Sequence, residues 1–226
     1  MDTNTNSAQP ASDTPRAQRV VLAPAEPFAA AERSAALARP LRWIEIVLAG
    51  PARVAANIEH ERSLGTLALV MLLSSSAFAL PYGLVFGVGL DSWWRVATLF
   101  LGSTLICLPS LHVFSSYLGL RANLAQVVVL ALTIPAVAAL FSFGFAPILG
   151  FLRLTMPDYR EVLSWRSMSA ALLAFALLAG VLQLWRCIFA PRHGSLRAGF
   201  VVVLLVWHLV FGHVLLRMAS VLGLEP

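Results

Sequence analysis

Residues Ala122–Leu152 read ANLAQVVVLALTIPAVAALFSFGFAPILGFL, 31 residues without one Asp, Glu, Arg or Lys. As straight helix this run is about 46 Å long, against roughly 30 Å for the hydrocarbon core of a bilayer. Nothing in a soluble domain asks for so much uninterrupted apolar chain. Four more runs are equally free of charge: Ser63–Leu90, Val96–Leu120, Ser167–Trp185 and Ala198–Leu216. Each reaches the roughly 18 residues that mark a membrane helix. One buried soluble helix can mimic such a run; five within one chain of 226 residues do not arise that way.

Composition agrees. The chain is 59% apolar and 12% charged, about half the charge of a soluble domain. The expected fold class is an all-α integral membrane protein with five transmembrane helices in a bundle. A disordered cytosolic tail (1–25) and an amphipathic juxtamembrane segment (26–62) precede a membrane domain (63–222). The spans are placed at about 64–86, 95–118, 123–146, 167–188 and 197–220. The 123–146 boundary treats Pro147 and Gly150 as breakers: the helix is expected to end near Phe145, with Ala146–Leu152 continuing as a bent or interfacial piece.

The net charge is +5, carried by arginine with no lysine, the usage a GC-rich bacterial genome encodes. Arg16, Arg19, Arg33, Arg39, Arg42, Arg53 and Arg62 all precede the first span. They are spaced out, mixed with Glu and not interleaved with aromatics. Retention on the cytoplasmic side accounts for them without nucleic acid as a partner. With five spans the termini lie on opposite sides. The arginine bias puts the N-terminus in the cytoplasm and the C-terminus outside a bacterial cytoplasmic membrane, with Arg95, Arg153, Arg160 and Arg166 on the outer side. The first 25 residues lack the apolar core of a signal peptide.

The juxtamembrane segment is half apolar. A short helix is expected over Phe28–Leu37. Beyond it Leu41, Ile44 and Leu48, then Val54, Ala55 and Ile58, share one face. Gly50-Pro51 breaks the pattern between two short helices, expected to lie on the inner membrane surface with Trp43 as an anchor.

In the first span Ser75, Ala79, Gly83 and Gly87 recur every four residues, and Gly83–Gly87 is a GxxxG. Small residues let helix backbones approach closely where lipid supplies no hydrophobic drive. The stripe is a seam either inside the bundle or against a second copy.

Chemistry-bearing residues are few. Cys107 and Cys187 have no metal or redox spacing. His208 and His213 are five apart, about 140° around a helix, and no span holds a carboxylate. Ser110 and His112, two apart, point away from each other, and no hydrolase or metalloprotease motif occurs. The reading is therefore no enzyme, no metal and no cofactor. Pro109 in LICLPSLHVF (Leu105–Phe114) removes a backbone N–H and frees the carbonyl of Leu105. Thr104, Ser110 and His112 are the candidates to satisfy it. Pro109, Ser110, His112 and Pro135 thus form a kink and polar cluster. A thin polar lining (Ser103, Thr104, Gln126, Thr133, Ser142, Gln183 and His208 with them) leaves a transport pathway open, its substrate unknown.

Three stretches resemble the Yip family, small five-span membrane proteins that interact with Rab-type GTPases in eukaryotic vesicle traffic. They are Pro51–Ile58, FALPYGLVFG (Phe78–Gly87) and LGLRANLAQVVVLALTIPAV (Leu118–Val137). The turn at Gly119, then Gln126, then Pro135 is similar to that family's turn, early polar residue and mid-span proline. ICLPSLHVF with GLRANLAQ also resembles a group of uncharacterised bacterial membrane proteins. The resemblance implies a five-helix bundle with a cytosolic N-terminus, acting as a membrane organiser or adaptor. Its partners would be the lipid bilayer and another protein or a second copy of the chain. Rab binding is not carried over, since no residues here correspond to a GTPase-binding motif.

Overall fold

The computed structural model describes residues 29, 41–48, 53–56, 64–86, 93–117, 123–155, 165–189 and 198–224. Among them there is helix and no strand. α1 (Leu41–Leu48) is followed by a helical turn at 53–56. Then come α2 (Leu64–Phe86), α3 (Arg95–Tyr117), α4 (Leu124–Thr155), α5 (Trp165–Phe189) and α6 (Ala198–Val221). The last five are long and apolar enough to cross a membrane, and they pack against one another as a multi-pass bundle. The tail 1–25, the expected helix Phe28–Leu37 (apart from Ala29), Gly50-Pro51, Ile58 and Gly87 lie outside the described residues.

α4 is the axis. It packs against α2, α3 and α5, while α6 is held chiefly by α3. Nine consecutive residues, Ala131–Ala139, are buried. That is more than two turns, so neighbours cover the helix all round rather than along one stripe. The bundle has two ends. At the tail end α2, α4 and α6 begin; at the loop-one end α3 and α5 begin and the exposed Trp93 and Trp94 lie.

The structure corrects the third span. α4 does not stop near Phe145 but runs 32 residues through Pro147 to Thr155. Two contacts outweigh the proline. Ala146 and Leu149 on one side are buried in a core with Phe78, Tyr82 and Phe86 of α2. Beyond them Arg153 Nη1 donates to the carbonyl of Val85 at 3.2 Å. Pro147 itself is exposed. A proline read from sequence as a stop is tolerated where packing on the opposite face is continuous.

On the expected juxtamembrane face Ile44 packs against the core and Val54 and Ala55 are buried, and Leu48 alone of the described residues departs from it. Ile46 and Val47 are the buried residues of α1, while Leu48 is 56% exposed. The buried pair joins Val54, Leu64, Leu67, Met71, Val129 and Cys187 in one cluster, and α1 packs against α2 and α4.

Candidate functional site

Around Pro109 the continuous helix α3 has two sides. Leu105, Ile106, Pro109 and Val113 form an outward stripe, with Leu105 70% exposed. Cys107 and Leu111 point inward, into a cluster with Val127, Ala131 and Ile134 of α4 and Trp207 and Phe211 of α6. The polar atoms near Pro109 bond mostly within α3. Ser103 donates to the carbonyl of Leu99, Thr104 to Phe100 at 2.8 Å, and Ser110 to Cys107 at 2.7 Å. Neither Thr104 nor Ser110 is bonded to Leu105. The hydroxyls close back on the preceding turn of their own helix, as Ser and Thr do in apolar surroundings.

The carbonyl of Cys107 receives a second donor, the indole Nε1 of Trp207, at 3.2 Å. Sequence reasoning passed over Trp207, the largest of the fully buried side chains. It stacks on Phe211 with ring centroids 5.5 Å apart and meets His208 edge-on at 5.1 Å. The signal available was the Trp207–Phe211 spacing of four, which puts two aromatics on one face. Its partner lies 100 residues away, and no local pattern announces that.

His208 is oriented by its own helix, with Nδ1 2.6 Å from the carbonyl of Leu204. That bond requires the proton on Nδ1, leaving Nε2 as an acceptor. Trp185 of α5 lies beside the ring at 5.8 Å. His208 Nε2 and His112 Nδ1 are buried without a partner among the described residues. His213 is on the outward side of α6. The structure therefore brings Cys107 to Trp207 and His208 to Trp185. It assembles no group of three metal-ligating side chains among the described residues.

The small-residue stripe lies inside. Ser75, Ala79 and Gly83 are all buried. Ser75 donates to Met71 at 2.6 Å, and Tyr82 on the same buried face donates its hydroxyl to the carbonyl of Ser169 on α5 at 2.5 Å. A close backbone approach occurs where the sequence singled out nothing. A Cβ on Gly180 of α5 would lie 2.5 Å from the carbonyl oxygen of Ile134. Backbone meets backbone there, one residue before Pro135, and only a hydrogen fits between. Pro135 lies inside the fully buried stretch of α4, with Thr133 donating to Val129 at 3.1 Å.

Gln126, placed in the polar lining, caps a helix. Its Oε1 accepts from the backbone N–H of Asn123 at 2.8 Å, and the N–H groups of Gln126 and Val127 return to the Asn123 carbonyl. The reach back from the third helical position is half of a capping box. Arg95 and Arg153 also act on backbone. Arg95 Nη1 donates to Leu222 at 3.0 Å, just past the end of α6, as Arg153 does at the end of α2. Cations at helix C-termini meet unpaired carbonyls and the negative end of the dipole. Gly223, at φ +66°, completes the α6 terminus, with the N–H of Leu224 returning to Ala219 at 2.8 Å.

No family model, curated protein or solved structure matches this chain.

Proposed function

We propose that the protein is a non-enzymatic membrane organiser or adaptor, similar in kind to the Yip-type proteins its sequence resembles. In this reading it binds other membrane or cytosolic proteins from a bacterial cytoplasmic membrane, with its N-terminus in the cytoplasm and its C-terminus outside. The observation that carries the reading is the docked juxtamembrane helix. α1 is packed on α2 and α4 through Ile46 and Val47, while Glu45 and Leu48 are exposed. The segment before the bundle thus forms a protein surface, with an apolar residue beside a carboxylate for a partner to meet. The hydroxyls of α3, turned back on their own helix, fit a packed scaffold.

A second reading, a small transporter or channel subunit with a polar pathway near Pro109, His112 and His208, draws on the two unpartnered imidazole nitrogens. One experiment separates the two. A photo-crosslinker at Leu48 in living cells is expected to give a discrete protein adduct, and the purified protein in liposomes to pass ions and small solutes no faster than empty vesicles. Flux above that background without an adduct would establish transport instead. For orientation, thiol labelling from outside the cell is expected to reach a cysteine at Pro226 and to miss one at Ala25. Equal labelling would reject the topology.

A further inference from the structure

α4 changes its surroundings halfway along, on one side only. Thr133, Val137, Leu140, Gly144, Ile148 and Phe151 are spaced by threes and fours, so they lie one above another on a single face. Toward the loop-one end this face is open. Ile148 and Phe151 are exposed, Phe151 at 64%, and a Cβ on Gly144 would meet nothing within 4 Å. Toward the tail end the same face is shut. Thr133 is 2% and Val137 4% exposed, and Val129 and Ala136 beside them are fully buried.

The cover is α1. Val129, Ala136 and Val137 share a buried cluster with Ile46 and Val47, and α1 packs on α2 and α4. Ile44 reaches farther, into the cluster that holds Phe78 of α2, Ala138 and Ala139 of α4 and Ala176 of α5. Those residues lie more than three turns from the tail end of their helices, about 20 Å along the axis. The other buried members of that cluster are nearer the loop-one end still. Glu59, Glu61 and Arg62 immediately precede α2, which sets the tail end of the bundle at the membrane boundary. An interfacial helix sinks only about 5–10 Å below that boundary, too little to bring Ile44 to its neighbours.

We infer that α1 is a re-entrant plug, inserted from the tail end to about half the depth of the bundle, where it fills the groove on α4 beside α2. Eight residues of helix are about 12 Å long, enough to fill that half and too short to span. Its inner side rests on protein, the condition under which a segment that does not span sits at membrane depth. On its outer side Glu45 is exposed and Arg42 half-buried. An ionised side chain within a membrane faces a water-filled cavity rather than lipid, so this side of the plug is the wall of a recess open to the tail side. The placement concerns depth alone and stands whether or not α1 meets a partner.

The test uses the full-length protein in liposomes, with genetically encoded spin-label amino acids read by pulsed distance measurement. Leu124 and Leu154, both exposed, lie near the two ends of α4 and serve as the reference, about 45 Å apart. A label at Glu45 is expected to stand nearer Leu154 than Leu124 does, by about 10 Å or more along the axis. A distance equal to the reference or longer would place α1 on the membrane surface and overturn the plug. Ile46→Ser combined with Val47→Ser should broaden the distance from Glu45 and leave the reference pair unchanged. A distance from Glu45 that stays sharp in that variant overturns the seating of α1 through those two residues. A water-soluble nickel relaxant is expected to reach a label at Glu45 and to miss one at Ile148. Absence of relaxation at Glu45 also overturns the proposal, since a carboxylate at that depth has no place in lipid.

Discussion

Pro109 and Pro135 sit in apolar runs of similar character, and a sequence reading gives them the same role. The structure places them in opposite surroundings. Pro135 lies in the stretch of α4 that is buried on every side, next to the carbonyl that Gly180 of α5 approaches. Pro109 lies on the outward stripe of α3, with Leu105 and Ile106 exposed around it. A buried proline in a membrane bundle is part of the packing; an outward one leaves the packing of its neighbours untouched. The difference lies in which face the ring occupies, and local sequence does not encode that.

The strongest way to break the comparison is to enlarge the contact beside Pro135. Gly180→Val puts a side chain where 2.5 Å separates an ideal Cβ from a backbone oxygen. A carbonyl cannot swing aside as a flexible side chain does. The expected loss is about 3 kcal/mol or more, measured by unfolding in mixed micelles. Gly144 of α4, around which a Cβ would meet nothing within 4 Å, is the control: Gly144→Val should fold as the wild type does. Equal damage at both positions would mean that the close approach of α5 to α4 is not what holds the bundle.

Two single-atom bonds test the interior at the next level. Tyr82→Phe removes the hydroxyl that reaches Ser169 and leaves that buried carbonyl without its side-chain donor. Trp207→Phe keeps an aromatic ring but removes the indole N–H from the carbonyl of Cys107. Each is expected to cost about 1–2 kcal/mol. Trp207→Phe should cost the less of the two, since Ser110 still donates to the same carbonyl. The reverse order would mean that α6 depends on this bond more than α5 depends on Tyr82.

These predictions rest on contacts of very different legibility. The five long helices were plain in the sequence, because absence of charge over such lengths has one physical meaning. So was the burial-prone stripe through Ser75, Ala79 and Gly83, because small residues every fourth position have few other uses. The length of α4 was not legible. Pro147 reads as a stop, and the contacts that carry the helix past it, with Tyr82, Phe86 and the Val85 carbonyl, come from residues some 60 positions earlier. Trp207 was invisible for the same reason, and Gly180 stood among ordinary small residues of α5. Arg95 and Arg153 were counted as charges bearing on topology, whereas their guanidinium groups terminate helices. In each case a partner far away in sequence decided the role.

The smallest expected effect is at Pro109. Alanine there supplies the missing N–H to the carbonyl of Leu105 and relieves the ring's clash with it. The ring faces outward, so its removal opens no cavity inside the bundle. The net change should be a gain in stability of up to about 1 kcal/mol, the size of one restored hydrogen bond. Pro135→Ala, which removes ring atoms from a position covered on all sides, should cost about 1–3 kcal/mol through the cavity it leaves. Shape can be followed separately from stability, with spin labels at Trp94 and Tyr117, both exposed near the two ends of α3. α3 is held from its inner side by Trp207 on the carbonyl of Cys107 and by the buried Leu111. The interlabel distance should therefore stay near its wild-type value in Pro109→Ala and lengthen only when Trp207→Phe is added. A distance that lengthens fully in Pro109→Ala alone would locate the control of the helix's course in the proline, and the two prolines would then differ less than their surroundings do.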